Sequence, residues 1–300
     1  QHSQMRPQMI PIAHCRGVEL YAGSECPLTF TNSPYYAHRH LASVDLYPER
    51  GVEEAYSPVQ GIVLETRRLK LTGDCVTLIE TEKVGVCAKI LHVEPEVEAG
   101  DSVYPGDTLG RFIWSPFFDP WTDPHMHVEV RPSNDRLRAR GGYELDPEPL
   151  MSRMRFECPS ARSFMVEEVL DRYSLLRPTS PIPAFTSPLA STLNGTPLVL
   201  EGGLPHYGHG AFWTCGPEHE TIPRKIMNES FEVDFVQGRY LHFTCPRWNL
   251  AVKGHEYRGI GLYLNHPYMK LISRNVGENI LKVDDEVLID EISLPIVGDS

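Results

Sequence analysis

The segment Pro124-His125-Met126-His127-Val128-Glu129-Val130 carries the sharpest chemical pattern in the chain. Side chains alternate faces along an extended strand, so His125 and His127 project from one side. Met126 and Val128 then point into the opposite, apolar layer. Two imidazoles on one face suit zinc, whose nitrogen ligands sit ~2.0–2.1 Å from the ion. Upstream, His38-Arg39-His40-Leu41-Ala42-Ser43-Val44-Asp45 offers a further His and an Asp. A His–Asp–His set fills three positions of a tetrahedral ion and leaves the fourth for water, as a hydrolytic rather than a structural centre requires. A third segment, Ile90-Leu91-His92-Val93, places a single His in an apolar strand. It reads as a core residue or as a partner of the pair.

Short strands must position these groups. Runs rich in Val, Ile and Thr, separated by Gly, Pro and Asp, predict strands at 18–21, 28–31, 44–47, 61–67, 75–80, 87–93, 108–114 and 125–131. In the turn Glu98–Gly106, Gly100 and Gly106 supply the positive φ that a tight reversal needs. One helix is predicted after residue 163, capped by Ser163, with Val166, Val169, Leu170 and Tyr173 at helical spacing. Prolines 178, 181, 183, 188 and 197 make the following stretch extended and irregular. Strands return at 198–201, 211–215, 231–236, 239–245, 260–264, 269–273 and 287–292. The expected architecture is mainly β. It comprises a β domain over residues 1–150, a linking helix and Pro-rich linker over 151–197, and a second β-rich domain over 198–300.

Composition narrows the function classes. Twenty-eight Lys and Arg against 40 Asp and Glu give a net charge of −12, which disfavours nucleic acid and anionic membranes as partners. No apolar run of ~18 residues predicts a membrane span. The seven cysteines are scattered, with no CxxC pair, as expected of reduced thiols packed as small hydrophobes. The N-terminal residues show no signal pattern, so a cytoplasmic location is the default expectation, with an extracellular or envelope location open to a processed chain. Phosphate-binding glycine loops and a GxSxG elbow are missing. The histidines of His206-Tyr207-Gly208-His209 and His255-Glu256-Tyr257 read as ordinary surface or loop residues.

Asp45, the run Ser57-Pro58-Val59-Gln60-Gly61-Ile62-Val63, His92, the turn Gly100-Asp101…Gly106-Asp107…Leu109-Gly110, and His125-Met126-His127 occur in one order. In order and spacing they resemble the lysostaphin-like zinc metallopeptidases over about residues 34–132. The resemblance implies the duplicated-hybrid-motif fold, a barrel-like β sandwich. It implies zinc held by His40, Asp45 and His127, with His92 and His125 flanking the water and the substrate carbonyl. It also implies hydrolysis of peptide bonds in glycine-containing or peptidoglycan-like substrates. The aromatic cluster ahead of the HxH strand, with Trp114, Phe117 and Trp121, reads as a wall of the substrate groove or as a hydrophobic plug.

One departure bears on the chemistry. Four residues separate His40 from Asp45, which puts the two on opposite faces of a regular strand. A bulge near Ala42–Ser43 restores one face; without it His38 is the ligand, or none is. Two alternatives follow: a catalytically degenerate peptide- or protein-binding module of the same fold, and a phosphoryl carrier using a His pair.

Overall fold

The computed structural model describes residues 6–156, 161–193, 195–215, 225–226 and 231–294. The chain divides into two compact units. One holds the residues up to Phe30 together with Tyr35–Ser152, the other Thr31–Pro34 together with the chain from Arg153 onward. All strand pairings are antiparallel, and the fold is mainly β, as expected.

In the first unit the elements are β1 (Met9–Cys15), β2 (Val18–Gly23), β3 (Leu28–Thr29), α1 (Tyr36–Arg39), β4 (Val44–Leu46), β5 (Glu54–Tyr56), β6 (Gly61–Arg68) and β7 (Cys75–Glu80). After them come β8 (Val86–Leu91), β9 (Val93–Pro95), β10 (Ser102–Val103), β11 (Thr108–Phe112), β12 (Met126–Pro132) and α2 (Glu148–Met151). The main sheet has the order β10-β6-β7-β8-β12-β4-β3, and β5-β11-β9 form a smaller one. The turn between β9 and β11 carries Gly100 at φ +100° and Gly106 at +89°, as the sequence requires.

Register decides which residues share a face. Val128 lies opposite Val44 and Ile90, and Val130 opposite Ala88; all five are buried. Each of the Val and Ile side chains contributes roughly 1.5–3 kcal/mol on burial. A one-residue slip would exchange this row for His127, Glu129 and Arg131, so the register is strongly specified. The other face carries Asp45, His127, Glu129, Lys89 and Leu91 in adjacent rows.

In the second unit the strands are β13 (Ser163–Val169), β14 (Tyr173–Pro178), β15 (Ala190–Leu193), β16 (Thr196–Leu204), β17 (His209–Thr214) and β18 (Lys225–Ile226). They continue as β19 (Phe231–Gln237), β20 (Tyr240–Thr244), β21 (Leu250–Val252), β22 (His255–Leu262), β23 (Met269–Ser273) and β24 (Glu286–Leu288). One path of neighbours runs β18-β19-β20-β17-β16-β22-β23-β14-β13-β24. Its core centres on Phe212, Phe231 and Phe243, with ring centroids 4.7–5.7 Å apart.

The linking helix expected after Ser163 is a β-hairpin instead. Val166 pairs with Leu176 and Phe164 with Pro178 across β13 and β14. Phe164 and Val166 are buried by strand alternation, whereas Leu170, which a helix would have turned inward, is 38 % exposed. Aromatic and β-branched residues suit a pleated surface, and pairing with β23 and β24 overrides the weak helical spacing. Cys15, Cys26, Cys75 and Cys87 are buried and outside any disulfide, and Cys215 is exposed; Cys158 lies outside the described residues. Among the described residues no helix is long and apolar enough to cross a membrane.

Candidate metal centre

Strand pairing brings Asp45 and His127 together. They lie directly opposite each other on β4 and β12, so both leave the sheet on one face. His127 Nδ1 is 2.8 Å from Asp45 Oδ1. His38 reaches them from α1, not from the sheet. The helical turn closes with Ala42 N–H donating to Ala37 O at 2.8 Å, and Leu41 takes φ +50° before the chain enters β4. His38 Nε2 then lies 3.3 Å from both His127 Nδ1 and Asp45 Oδ2. All three side chains are buried, and their ligand atoms fall within 4.8 Å of one another.

The outer hydrogen bonds set the tautomers. His38 Nδ1–H donates to Phe30 O at 2.9 Å, and His127 Nε2–H donates to Glu129 Oε1 at 3.0 Å. Both acceptors lack a proton of their own. With the other nitrogen of each ring committed outward, His38 Nε2 and His127 Nδ1 are the atoms turned toward the Asp45 carboxylate. Without an ion, a proton on His127 Nδ1 is donated to Asp45 Oδ1; an ion that displaces this proton meets three ligand atoms. A tetrahedral ion with bonds of ~2.0–2.1 Å holds its ligand atoms about 3.3 Å apart. The two imidazole nitrogens are 3.3 Å apart, and the carboxylate meets them with separate oxygens, Oδ1 at 2.8 Å from His127 and Oδ2 at 3.3 Å from His38. The donor set fits zinc, and a carboxylate behind a ligating histidine is the usual outer support of such a site.

His40 stands elsewhere. It follows α1, is exposed, stacks on Tyr36 with ring centroids 3.8 Å apart, and donates Nδ1–H to Tyr36 O at 2.8 Å. The structure puts His38 where the resemblance implied His40. No continuous strand runs from residue 40 to residue 45; a turn lies between them, so strand parity does not relate the two side chains and no bulge is needed.

His125 and His92 flank the group. His125 precedes β12, donates Nδ1–H to Asp123 O at 2.9 Å, and sets Nε2 3.3 Å from Asp45 Oδ2. His92 is not inside a strand. It occupies the one-residue break between β8 and β9 at φ +68°, a conformation that His adopts more readily than most residues. Its Nδ1–H donates to Asp74 Oδ2 at 2.7 Å, and the same oxygen accepts Ser115 Oγ–H at 2.9 Å. Nε2 is thereby left as the basic atom of His92. The rings of His92 and His125 are 5.4 Å apart, and Phe118 packs on both, at 4.8 and 4.4 Å.

A cavity of about 330 Å³ opens beside these groups, lined by His92, His127, Glu129, Lys89, Asp74, Arg67, Tyr35 and Phe117 among others. Phe117 is thus part of the wall. Trp114 is 68 % exposed and Trp121 half-buried, and neither lines the cavity.

Charge within the group is unevenly placed. Burial pushes the Asp45 carboxyl up, but the charges of His38 and His125 and the hydrogen bond from His127 hold it well below the usual carboxylate range. Burial works against protonation of His127; hydrogen bonds to Asp45 and Glu129 outweigh it and raise its pKa to about 9. Glu129 is lowered to about 2 against burial, through His127, Lys89 and Arg131. Burial pushes His125 down to about 4, so it is neutral at pH 7.

Asp74, Glu129 and Lys89 were not singled out from the sequence. Glu129 was legible, since it lies two residues beyond His127 and so shares its face. Asp74 is 18 positions from His92, and no local spacing connects them. His209, expected at the surface, is buried on β17 with Nδ1 3.1 Å from His242 Nε2.

A family described as "Domain of unknown function (DUF8155) N-terminal domain" matches residues 23–147. Comparison with curated proteins found no match. Among solved structures, Csd3 from Helicobacter pylori is similar at 20 % identity and a TM-score of 0.25, over 45 % of this chain and 41 % of that one. The chain thus spans about two fifths of the length of Csd3. The antimicrobial peptidase lysostaphin from Staphylococcus simulans is similar at 14 % identity and a TM-score of 0.32, over 87 % of this chain and 94 % of that one. Its solution structure is similar at 12 % identity and a TM-score of 0.33, over the same shares.

Proposed function

We propose that this protein is a zinc-dependent hydrolase of peptide bonds, with His38, Asp45 and His127 holding the ion. One observation carries the reading: two histidine nitrogens and a buried carboxylate converge within 4.8 Å of one another, each oriented by a hydrogen bond on its far side or by strand pairing. Zinc bound there supplies Lewis acidity, lowering the pKa of a water toward ~7 and polarising a carbonyl.

The chain's own residues supply the rest. His92 Nε2 accepts the proton of the attacking water, and Asp74 stabilises the imidazolium that results, since it accepts from Nδ1. Water oxygen bonds to the carbonyl carbon, the carbon–nitrogen bond breaks, and the proton on His92 passes to the departing amine. His125, kept neutral by burial, offers Nε2 as an acceptor that orients the water. Phe117 and Tyr35 wall the cavity that receives the peptide. The motif order shared with lysostaphin-like zinc metallopeptidases supports glycine-containing, cell-wall-type peptides as the substrate class.

Two other readings lose ground. The degenerate-module alternative rested on the spacing of His40 and Asp45, which ceases to matter once His38 takes the role. A phosphoryl carrier needs facing histidines without an acidic neighbour, and Asp45 lies 2.8 Å from His127.

The test is metal content and hydrolysis measured together. Purified protein is expected to retain about one zinc per chain and to cleave pentaglycine. His92→Ala is expected to keep the zinc and lose about 10²–10⁴-fold in kcat. A wild-type protein that takes up no zinc, or hydrolysis indifferent to His92→Ala, overturns the proposal.

A further inference from the structure

The floor of the cavity carries a cation that the hydrolytic chemistry does not use. Lys89, on β8, is only 5 % exposed and lines the same cavity as His92 and His127. An ammonium has three N–H donors. Two are spent, on Glu129 Oε1 at 3.2 Å and Arg138 O at 3.3 Å; the third has no acceptor among the described residues. Nor does Lys89 have Glu129 to itself, since Arg131 and His127 pair with the same carboxylate. A desolvated ammonium with an unspent donor facing a cavity calls for an anionic oxygen.

We infer that Lys89 binds the terminal carboxylate of the peptide substrate, which makes this site one that acts near a free C-terminus. The inference rests on the hydrolase reading for the identity of the ligand. Register gives the spacing. Lys89 lies opposite Glu129, and Leu91 opposite His127, in rows two residues apart on one face. Such rows are roughly 7 Å apart. An extended peptide covers about 3.4 Å per residue. A carboxylate at Lys89 therefore places the carbonyl beside His127 and His92 no more than two residues upstream, and a cavity of about 330 Å³ suits a fragment of that size. The released product is a single amino acid or a dipeptide.

The test compares N-acetyl-tetraglycine with its C-terminal amide, the acetyl group removing the amine that would otherwise chelate metal. Binding is measured by calorimetry on zinc-loaded and on metal-free protein. The acid is expected to bind about tenfold more tightly than the amide, the scale of one charge-assisted hydrogen bond. That preference is expected with and without zinc, to be kept by Lys89→Arg, and to fall below about twofold in Lys89→Gln. Equal affinities in the wild type, no binding of either peptide, or a preference that survives Lys89→Gln overturns the inference. A preference that vanishes on zinc removal does the same, by assigning the carboxylate to the metal. Should Lys89→Gln fail to fold, the metal-free wild type decides alone. Hydrolysis separates the two readings: cleavage of acid and amide alike removes the carboxylate subsite and keeps the hydrolase, while tight acid binding without cleavage does the reverse.

Discussion

Each unit of the molecule buries a pair of histidines with facing nitrogens, and the pairs differ in what stands around them. In the second unit His209 and His242 face each other at 3.1 Å, with His209 Nε2 on Ser33 O and His242 Nδ1 on Asp234 Oδ1. Their contacts run along a line, and among the described residues no third side chain joins the inner nitrogens in a group that could hold a metal. In the first unit His38 and His127 face each other at 3.3 Å, and Asp45 adds a third acceptor at the same point. Among the described residues only this second arrangement gathers three ligand atoms within 4.8 Å. Two buried imidazoles thus do not make a metal site. A third acceptor, supplied by the directly paired strand, and a cavity for the water distinguish it.

Five measurements break or sharpen that contrast. The largest effect is on metal retention: His38→Ala, Asp45→Ala and His127→Ala are each expected to lose zinc during dialysis, while His40→Ala and His242→Ala keep about one equivalent. Atomic emission on the dialysed variants reads this directly, and zinc lost from His242→Ala would erase the contrast. Next is the outer support of each pair. Glu129→Ala is expected to weaken zinc binding by about 10–100-fold in chelator competition, whereas Asp234→Ala leaves it unchanged.

The third effect is on protons. With the pKa of His127 raised to about 9 in the metal-free protein, zinc binding at pH 7 displaces about one proton. Calorimetry in two buffers of different ionisation enthalpy counts it; zero release would mean that His127 is not a ligand. The same shifts set the metal-free stability profile. His127 is raised above its ordinary 6.5, so its contribution is full below that value and is lost as pH rises through about 9. Glu129 is lowered from 4.5 to about 2, so its contribution is present above 4.5 and is lost as pH falls through about 2. Urea midpoints at pH 7 and above 9 should therefore differ, with the alkaline value lower. The smallest effect concerns the cavity wall. Phe117→Ala is expected to raise KM several-fold, and Trp114→Ala, on an exposed side chain, to change it less than about twofold.

Much of this was legible in the chain. The HxHxE alternation, the glycine turn and the strand-rich pattern rest on local geometry, and the described strands follow them closely. The helix expected after Ser163 failed because Val166, Val169, Leu170 and Tyr173 match a helical stripe and a strand pair almost equally well; contacts with β23 and β24 decided between them. Asp74 was invisible because it joins His92 only through the fold.

The His38/His40 outcome draws the line most sharply. Covalent alternation along a strand determined that His127 and Glu129 share a face and that Met126 and Val128 oppose them, whatever the rest of the chain does. Which upstream histidine meets Asp45 was not determined that way. It depends on a four-residue helical turn, the positive φ of Leu41 and the carbonyl of Phe30 that holds the His38 ring. Those features aim the ring locally, but its meeting with His127, 89 residues away, and that of His127 with Asp45, 82 residues away, exist only once the backbone has closed on itself.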